Sequence, residues 1–332
     1  MMPNKTIKII GETIMDNNFI LKHTYLVYGL IVQSQISLPE LVVYDKEEVP
    51  DVIISCVKLR ANIKNAIKEG KDHCFEKEQI WFSIKKVATY YVKDVNTIQV
   101  ELFKGAEEQY VKTFLLGSAL GMLLIKRNSI AIHGGSVVIN EKGIILTGCS
   151  GSGKSTLTAA LREKGYDFLA DDVSVIGEDH QNNLMIMPGY PQQKLCSDAV
   201  EKFQYSDEHN IRKIDEDRNK YAIPITKKFR KEPCKLKAIY ELSANDIEEV
   251  KVINITGMER LNIIFKNIFR FGLINYIGMD PSYLKKCIQI AKNVDVYKIM
   301  RPKEGYTIVE QIEIIETTVK GRYCSEKFME KY

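Results

Sequence analysis

Eight consecutive residues, Gly148 to Ser155 (GCSGSGKS), carry the strongest chemical signal in this chain of 332 residues. They satisfy the spacing Gly-x4-Gly-Lys-Ser/Thr at every required position. Glycines let a backbone approach a polyphosphate closely enough for several N–H groups to converge on it. The lysine then reaches the β/γ oxygens, and the closing hydroxyl is placed to ligate Mg2+. Gly148, Ser150, Gly151, Ser152, Gly153, Lys154, Ser155 and the adjoining Thr156 are therefore the expected binding residues for ATP or another nucleoside triphosphate. The apolar strand pattern GIILTG before the loop and the helix-forming TLTAALREK after it supply the context such a loop needs.

Asp171 and Asp172 end a strand-like segment beyond that helix. Adjacent carboxylates are costly to hold together unless a cation offsets them, so a metal is their natural partner. Neighbours in a strand point to opposite sides, which predicts different roles: one supports Mg2+, the other accepts the proton of an attacking hydroxyl. Ser155 and Asp172 are the expected metal ligands, with the choice of base left open between the two aspartates. His133, in AIHGG, is placed to tune that base or to meet the γ-phosphate. Arg218, Lys220 and Arg270 are further candidates for phosphate or substrate contacts, because a fixed guanidinium binds a carboxylate or phosphate in bidentate fashion.

The elements that must position these groups follow from pattern. Residues 1–108 read as a β-rich N-terminal domain of short strands and turns, suited to substrate docking. Residues 109–332 read as the catalytic domain, entered by a helix over about 108–126. Within it the order is strand SVVIN, turn, strand GIILTG, loop, helix, then the strand DFLADDVSVIG. Thr256 with Glu259 predicts a capping box, and Asp280 with Pro281 a helix start. The segment 204–237 is polar and charge-segregated, as in a solvated excursion or a lid. A net charge of +4 on a chain that is 45% apolar and 27% charged describes a folded globular protein and points to neither nucleic acid nor membrane. Seven widely spaced cysteines without a CxxC pair read as reduced thiols, so a cytoplasmic location is expected.

The run AIHGGSVVINEKGIILTGCSGSGKSTLTAALREKGYDFLADDVSVIG, residues 131 to 177, resembles the core of the bacterial HPr kinase/phosphorylase family. That family has a His-Gly pair, a strand hairpin, a GxSGxGKS loop, a helix and a hydrophobic-Ala-Asp-Asp element in this order. The resemblance implies an α/β fold: a P-loop kinase core like those of HPr kinase and ATP-dependent phosphoenolpyruvate carboxykinase, with a smaller β-rich N-terminal domain. It also implies phosphorylation of a serine hydroxyl, with His133, Lys154, Asp171 and Asp172 as the catalytic set. Thr156 stands where the bifunctional enzymes usually have Glu, and MPGYPQQKL (187–195) occupies the place of their downstream glycine-rich signature. Tyr25, Tyr28, Gly29, Leu30, Ser34 and Leu38-Pro39-Glu40-Leu41 match the N-terminal pattern of stand-alone kinases associated with lasso-peptide biosynthesis. Members of that group phosphorylate a serine at the C-terminus of a precursor peptide.

These observations predict an ATP- and Mg2+-dependent phosphotransferase acting on a peptide or protein serine. A homo-oligomer is compatible with them. An HPr kinase/phosphorylase or a small-metabolite kinase is one alternative, and a nucleotide-binding regulator without transfer activity is another; the paired aspartates argue against the latter, since binding alone needs no base.

Overall fold

The computed structural model describes residues 23–206, 211–215 and 219–321. The chain divides into two compact units, Met1–Asn128 with Gly272–Met279, and Ser129–Phe271 with Asp280–Tyr332. The helical stretch expected to lead into the second domain thus belongs to the first unit, and the unit border lies at 128/129 where the sequence suggested 108/109.

The first unit is built on one eight-stranded sheet. Its strands are β1 (His23–Val27), β2 (Leu30–Ser34), β3 (Val42–Val43), β4 (Val52–Cys56), β5 (His73–Glu76), β6 (Gln79–Ile84), β7 (Ala88–Val92) and β8 (Thr97–Leu102). They run in the order β3-β1-β2-β4-β8-β7-β6-β5. Helix α1 (Ala61–Lys68) buries Ile63 against Trp81 and Tyr91. Most of the N-terminal sequence pattern is explained by this packing. Tyr28 and Gly29, with φ of 55° and 75°, make the two-residue hairpin turn between β1 and β2. The Tyr25 hydroxyl accepts from the Leu38 N–H at 2.8 Å, Leu38 is fully buried, and Glu40 pairs with the buried Lys112 at 3.0 Å. The apolar run 114–125 is a buried helix, as its pattern predicts. Helices α2 (Glu108–Phe114) and α3 (Leu120–Lys126) are joined through one π-helical turn over Leu115–Ala119. Among the described residues no helix is long and apolar enough to cross a membrane.

The second unit carries the motif. Its elements begin with β9 (Ile130–Ile139), β10 (Lys142–Gly148), α4 (Lys154–Glu163), β11 (Asp167–Ala170), β12 (Val173–Glu178), β13 (Leu184–Met187), β14 (Gln192–Cys196) and α5 (Ser197–Lys202). They continue with β15 (Arg212–Asp215), β16 (Lys220–Pro224), β17 (Cys234–Asn245), β18 (Lys251–Ile255) and α6 (Met258–Lys266). After α7 (Ile274–Ile277), which belongs to the first unit, come α8 (Pro281–Asn293), β19 (Asp295–Pro302) and α9 (Ile308–Val319). The main sheet runs β10-β9-β12-β13-β17-β19-β18, with β11 also on β9. Because β10 pairs in parallel with β17 as well, the pairing closes on itself. Leu157 and Leu161 of α4 and Ile312 and Ile315 of α9 pack with Leu146, Tyr240, Leu242 and Ile299 in one core. Together these elements make a mixed α/β fold.

Three expectations need adjustment. The run DFLADDVSVIG is two strands, because Asp172 adopts φ 65° and breaks the ladder between β11 and β12. The capping box of Thr256 and Glu259 does not form: Gly257 occupies the cap of α6 and no side chain bonds there. At α8, by contrast, Asp280 caps the helix by accepting from the Ser282 N–H at 2.8 Å. Finally, the described part of the polar segment 204–237 contributes β15 and β16 to a three-stranded sheet with β14. Ile223 and Leu195 bury themselves there against Ala159 of α4, which ties this small sheet to the loop-bearing helix.

The His-Gly-Gly run is dictated by close packing across β9. A Cβ on Gly134 would lie 2.2 Å from the Leu146 carbonyl oxygen, and one on Gly135 would lie 2.6 Å from the Thr158 hydroxyl. Gly134→Ala is therefore expected to destabilise the chain by about 3 kcal/mol, since the obstruction is backbone that cannot step aside. Denaturant unfolding of the variant beside wild type reads this directly.

Candidate functional site

The loop between β10 and α4 holds Gly148, Gly151 and Gly153 at φ of 135°, 80° and 101°. At Gly148 a side chain is also excluded by contact, since a Cβ would lie 2.3 Å from the Leu242 carbonyl oxygen on β17. The loop opens onto the N-terminus of α4, whose first residue is Lys154. Amide groups of a helix start and a positive macrodipole end there favour an anion. Lys154 folds back over the loop and donates from Nζ to the Gly148 and Cys149 carbonyls at 2.7 and 2.9 Å. Burial lowers its pKa, while Asp172 acts in the opposite direction. Ser152 is buried and its hydroxyl lacks a protein partner.

The Asp171–Asp172 bend sits where β9 passes from pairing with β12 to pairing with β11. His133 is the cross-strand neighbour of Val173, so the register brings it to the bend. Its Nδ1 lies 3.0 Å from the Asp172 carbonyl oxygen and 3.5 Å from Asp172 Oδ1. A carbonyl oxygen only accepts, so Nδ1 carries the proton and Nε2 presents an acceptor. Burial lowers the pKa of His133 although Asp172 opposes the shift, which favours the neutral ring near pH 7.

The two carboxyls are electrostatically unlike. Asp171 is buried, and desolvation together with the Asp172 charge pushes its pKa up to about 7. Burial alone would raise Asp172 too, yet Lys194 and His133 hold it below the ordinary carboxylate range. Lys194 Nζ pairs with Asp172 Oδ2 at 3.1 Å, and the Lys194 N–H donates to Asp171 Oδ2 at 2.8 Å. Burial works against the charge of Lys194, but the oxygens of Tyr190 and Asp172 raise its pKa above the ordinary value. One residue of β14 therefore serves both aspartates. Its neighbour Gln193 donates to the Ser155 carbonyl at 2.9 Å, so the same strand also reaches the start of α4.

Of the further candidates, Lys220 at the start of β16 contributes its charge to His133, Lys154, Asp171 and Asp172, which places it in their neighbourhood. Arg270, at φ 53° and stacked 5.4 Å from the Phe269 ring centroid, has its pKa lowered by burial and opposed by Asp172. Arg218 lies outside the described residues. Thr156 is half-buried on α4, in the helix turn that follows the loop.

Three residues at the site escaped sequence reasoning. Lys194 lies in MPGYPQQKL, where the alternation of QQKL sets Gln193 and Leu195 to one side and Lys194 to the other. That pattern was legible, but its proximity to the aspartates depends on the β14–β16–β15 sheet. Glu241, buried on β17 opposite Thr147, accepts from Asn267 Nδ2 at 3.1 Å and pairs with Lys266 at 3.2 Å, while the Asn267 carbonyl accepts the His133 N–H. Arg301 on β19 reaches the loop from across the sheet.

Lys194→Met should leave the ionised Asp172 without its cation. A loss of about 2 kcal/mol in stability at pH 7 is expected, because removing one partner of a largely buried pair strands the other. Lys194→Arg should recover most of it, and thermal melts of the two variants side by side decide the matter.

Among the described residues no group of three His, Cys, Asp or Glu side chains could hold a metal by itself. Mg2+ bound with a nucleotide needs only one or two carboxylates, the loop hydroxyl and phosphate oxygens, the rest of its shell being water. Asp172 and Ser155 are of the residue types that requirement calls for.

No protein-family profile matches the chain. Over 82 residues, 24% of this chain, it is 38% identical to the HPr kinase/phosphorylase of Lactobacillus acidophilus. The chain spans 25% of that relative's length, and over this stretch its sequence is HPr kinase-like. The HPr(Ser) kinase/phosphatase of Coxiella burnetii superposes with a TM-score of 0.30 at 16% identity, covering 57% of this chain and 88% of that one. At that score the spatial likeness carries no argument.

Proposed function

We propose that this chain, HPr kinase-like in sequence over its matched segment, is an ATP-dependent kinase that phosphorylates a serine hydroxyl of a peptide or protein. The observation that carries the reading is the unlike pair of carboxyls beside the glycine loop. Asp171, with a pKa near 7, has the basicity a general base needs at neutral pH, whereas Asp172 stays ionised beside Lys194.

Asp171 would take the proton of the serine hydroxyl as its oxygen bonds to the γ-phosphorus. The bond from that phosphorus to the β,γ-bridging oxygen breaks, and ADP leaves. Loop amides and Lys154 would hold the phosphates, Lys154 exchanging the Gly148 and Cys149 carbonyls for phosphate oxygens. Ser155 and Asp172 would hold the Mg2+, which when bound offsets charge on the transferring phosphoryl group. Neutral His133 would keep the Asp172 backbone in place through its Nδ1–H. The N-terminal pattern favours a precursor peptide with a C-terminal serine as the acceptor.

The test is incubation of the purified chain with γ-labelled ATP and Mg2+ against serine-terminal peptides, HPr and free hydroxylated metabolites in parallel. Label on a peptide serine, lost in Asp172→Asn, is the expected result. Label on HPr or on a metabolite alone would replace the peptide substrate. ATP binding with no labelled product would replace the kinase with a nucleotide-binding regulator.

A further inference from the structure

We infer that Arg301 is the positioning residue that holds the phosphate-binding loop in shape from outside the nucleotide site; this rests on the reading of Gly148 to Ser155 as that site. Its guanidinium leaves β19 and bonds two consecutive loop carbonyls. Nε donates to the Ser152 carbonyl at 3.1 Å and Nη2 to the Gly151 carbonyl at 3.3 Å. Nη1 is anchored on its own strand end, donating to the Pro302 carbonyl at 2.8 Å and the Lys303 carbonyl at 3.4 Å.

A peptide plane is rigid, so a carbonyl drawn outward turns the N–H of the next residue the opposite way. Fixing the Gly151 and Ser152 carbonyls on Arg301 therefore orients the amides of Ser152 and Gly153. Glycines at φ 80° and 101° offer no resistance of their own to a flip of those planes. Elsewhere in the loop, the Gly148 and Cys149 carbonyls are held by Lys154. That hold is temporary, because Lys154 must turn to the phosphates when a nucleotide enters. Arg301 bonds two other carbonyls of the loop, so its contacts need not break when the lysine turns. It keeps those carbonyls fixed in the step during which the lysine lets go. A guanidinium holds such bonds on a rigid planar fork of five donors, whereas an ammonium turns its three donors on a flexible stem. Gly153 belongs to the same arrangement, since a Cβ there would stand 3.5 Å from Arg301 Nε.

The experiment compares wild type with Arg301→Gln and Arg301→Lys, using Lys303→Ala, an exposed neighbour, as control. Affinities for ADP, ATP and inorganic tripolyphosphate are measured by calorimetry, and backbone hydrogen exchange is followed in the ligand-free protein. Loss of two charge-assisted bonds should weaken all three ligands by a common factor of about tenfold or more in Arg301→Gln. Lysine should recover only part of it, with Lys303→Ala unchanged. Exchange at residues 151–155 should accelerate in Arg301→Gln while the β10 and β17 amides keep wild-type rates. Equal affinities in wild type and Arg301→Gln, or unaltered exchange in the loop, would overturn the assignment. If wild type itself binds none of the ligands, the nucleotide reading falls, and the exchange data still decide whether Arg301 holds the loop.

Discussion

Asp171→Asn is expected to lose about 1000-fold in phosphoryl transfer and at the same time to raise the thermal stability of the ligand-free protein. The two effects have one cause. Burial and the neighbouring Asp172 charge raise the Asp171 pKa from 3.8 to about 7, so its ionised form is held at a cost that the unfolded chain does not bear. For an acid whose folded pKa is raised, stability is greatest below the unfolded value and declines as pH rises from about 4 to about 7. Asparagine keeps an oxygen for the Lys194 N–H but never ionises. Its advantage should therefore be near zero at pH 4 and largest at pH 8, amounting to a few degrees in melting temperature. Wild-type transfer should rise with pH through about 7 as the base ionises. Melts of the two proteins across that range, without metal or nucleotide, and rates with both present provide the check. An Asp171→Asn protein that melts below wild type at pH 8, or retains transfer, would refute this assignment.

Lys154→Ala is the second large effect: an affinity for ATP weaker by about 100-fold, with transfer falling at least as far. In the ligand-free structure the Lys154 ammonium bonds only loop carbonyls, which water can serve once the side chain is gone. Folding should therefore be nearly untouched, with melting within a degree or two of wild type. Calorimetric titration of ATP beside a thermal melt separates loss of phosphate binding from loss of structure. Affinity unchanged in a folded Lys154→Ala protein would mean that the loop does not bind the phosphates.

Much of the site's chemistry was legible one residue at a time. The loop reads directly because its function needs residue types at fixed short spacings, and spacing within one turn is a local property. His133 and the aspartate pair were readable as an ordered series, though their geometry was not. An unbroken strand would have sent the two carboxyls to opposite faces; a left-handed Asp172 instead makes a bend that sets them in different environments. Which of them is the weaker acid depends on burial and on Lys194, twenty-two residues further along.

The polar segment shows the limit from another direction. Its charge pattern suggested a solvated excursion, yet Ile223 of β16 packs with Leu195 of the neighbouring β14 against Ala159. Apolar residues in that stretch raise no periodic signal, while Ile223 together with Leu195 from outside it helps dock a small sheet. Arg301 was invisible for a different reason: 149 residues separate it from Ser152, and nothing near it in the chain marks it.

The glycine loop, with its strand before and helix after, is what the sequence by itself determined, because the residue types that define it stand at fixed spacings within a few positions. The tertiary structure alone decided how that loop is held and how its acids are tuned. The parallel pairing of β10 with β17, and of β17 with β19, carries Arg301 to the Gly151 and Ser152 carbonyls of the loop. The docking of β14 beside α4 carries Lys194 to the aspartates. Contacts of that kind are bonds between distant segments, and only the folded chain gives them a distance.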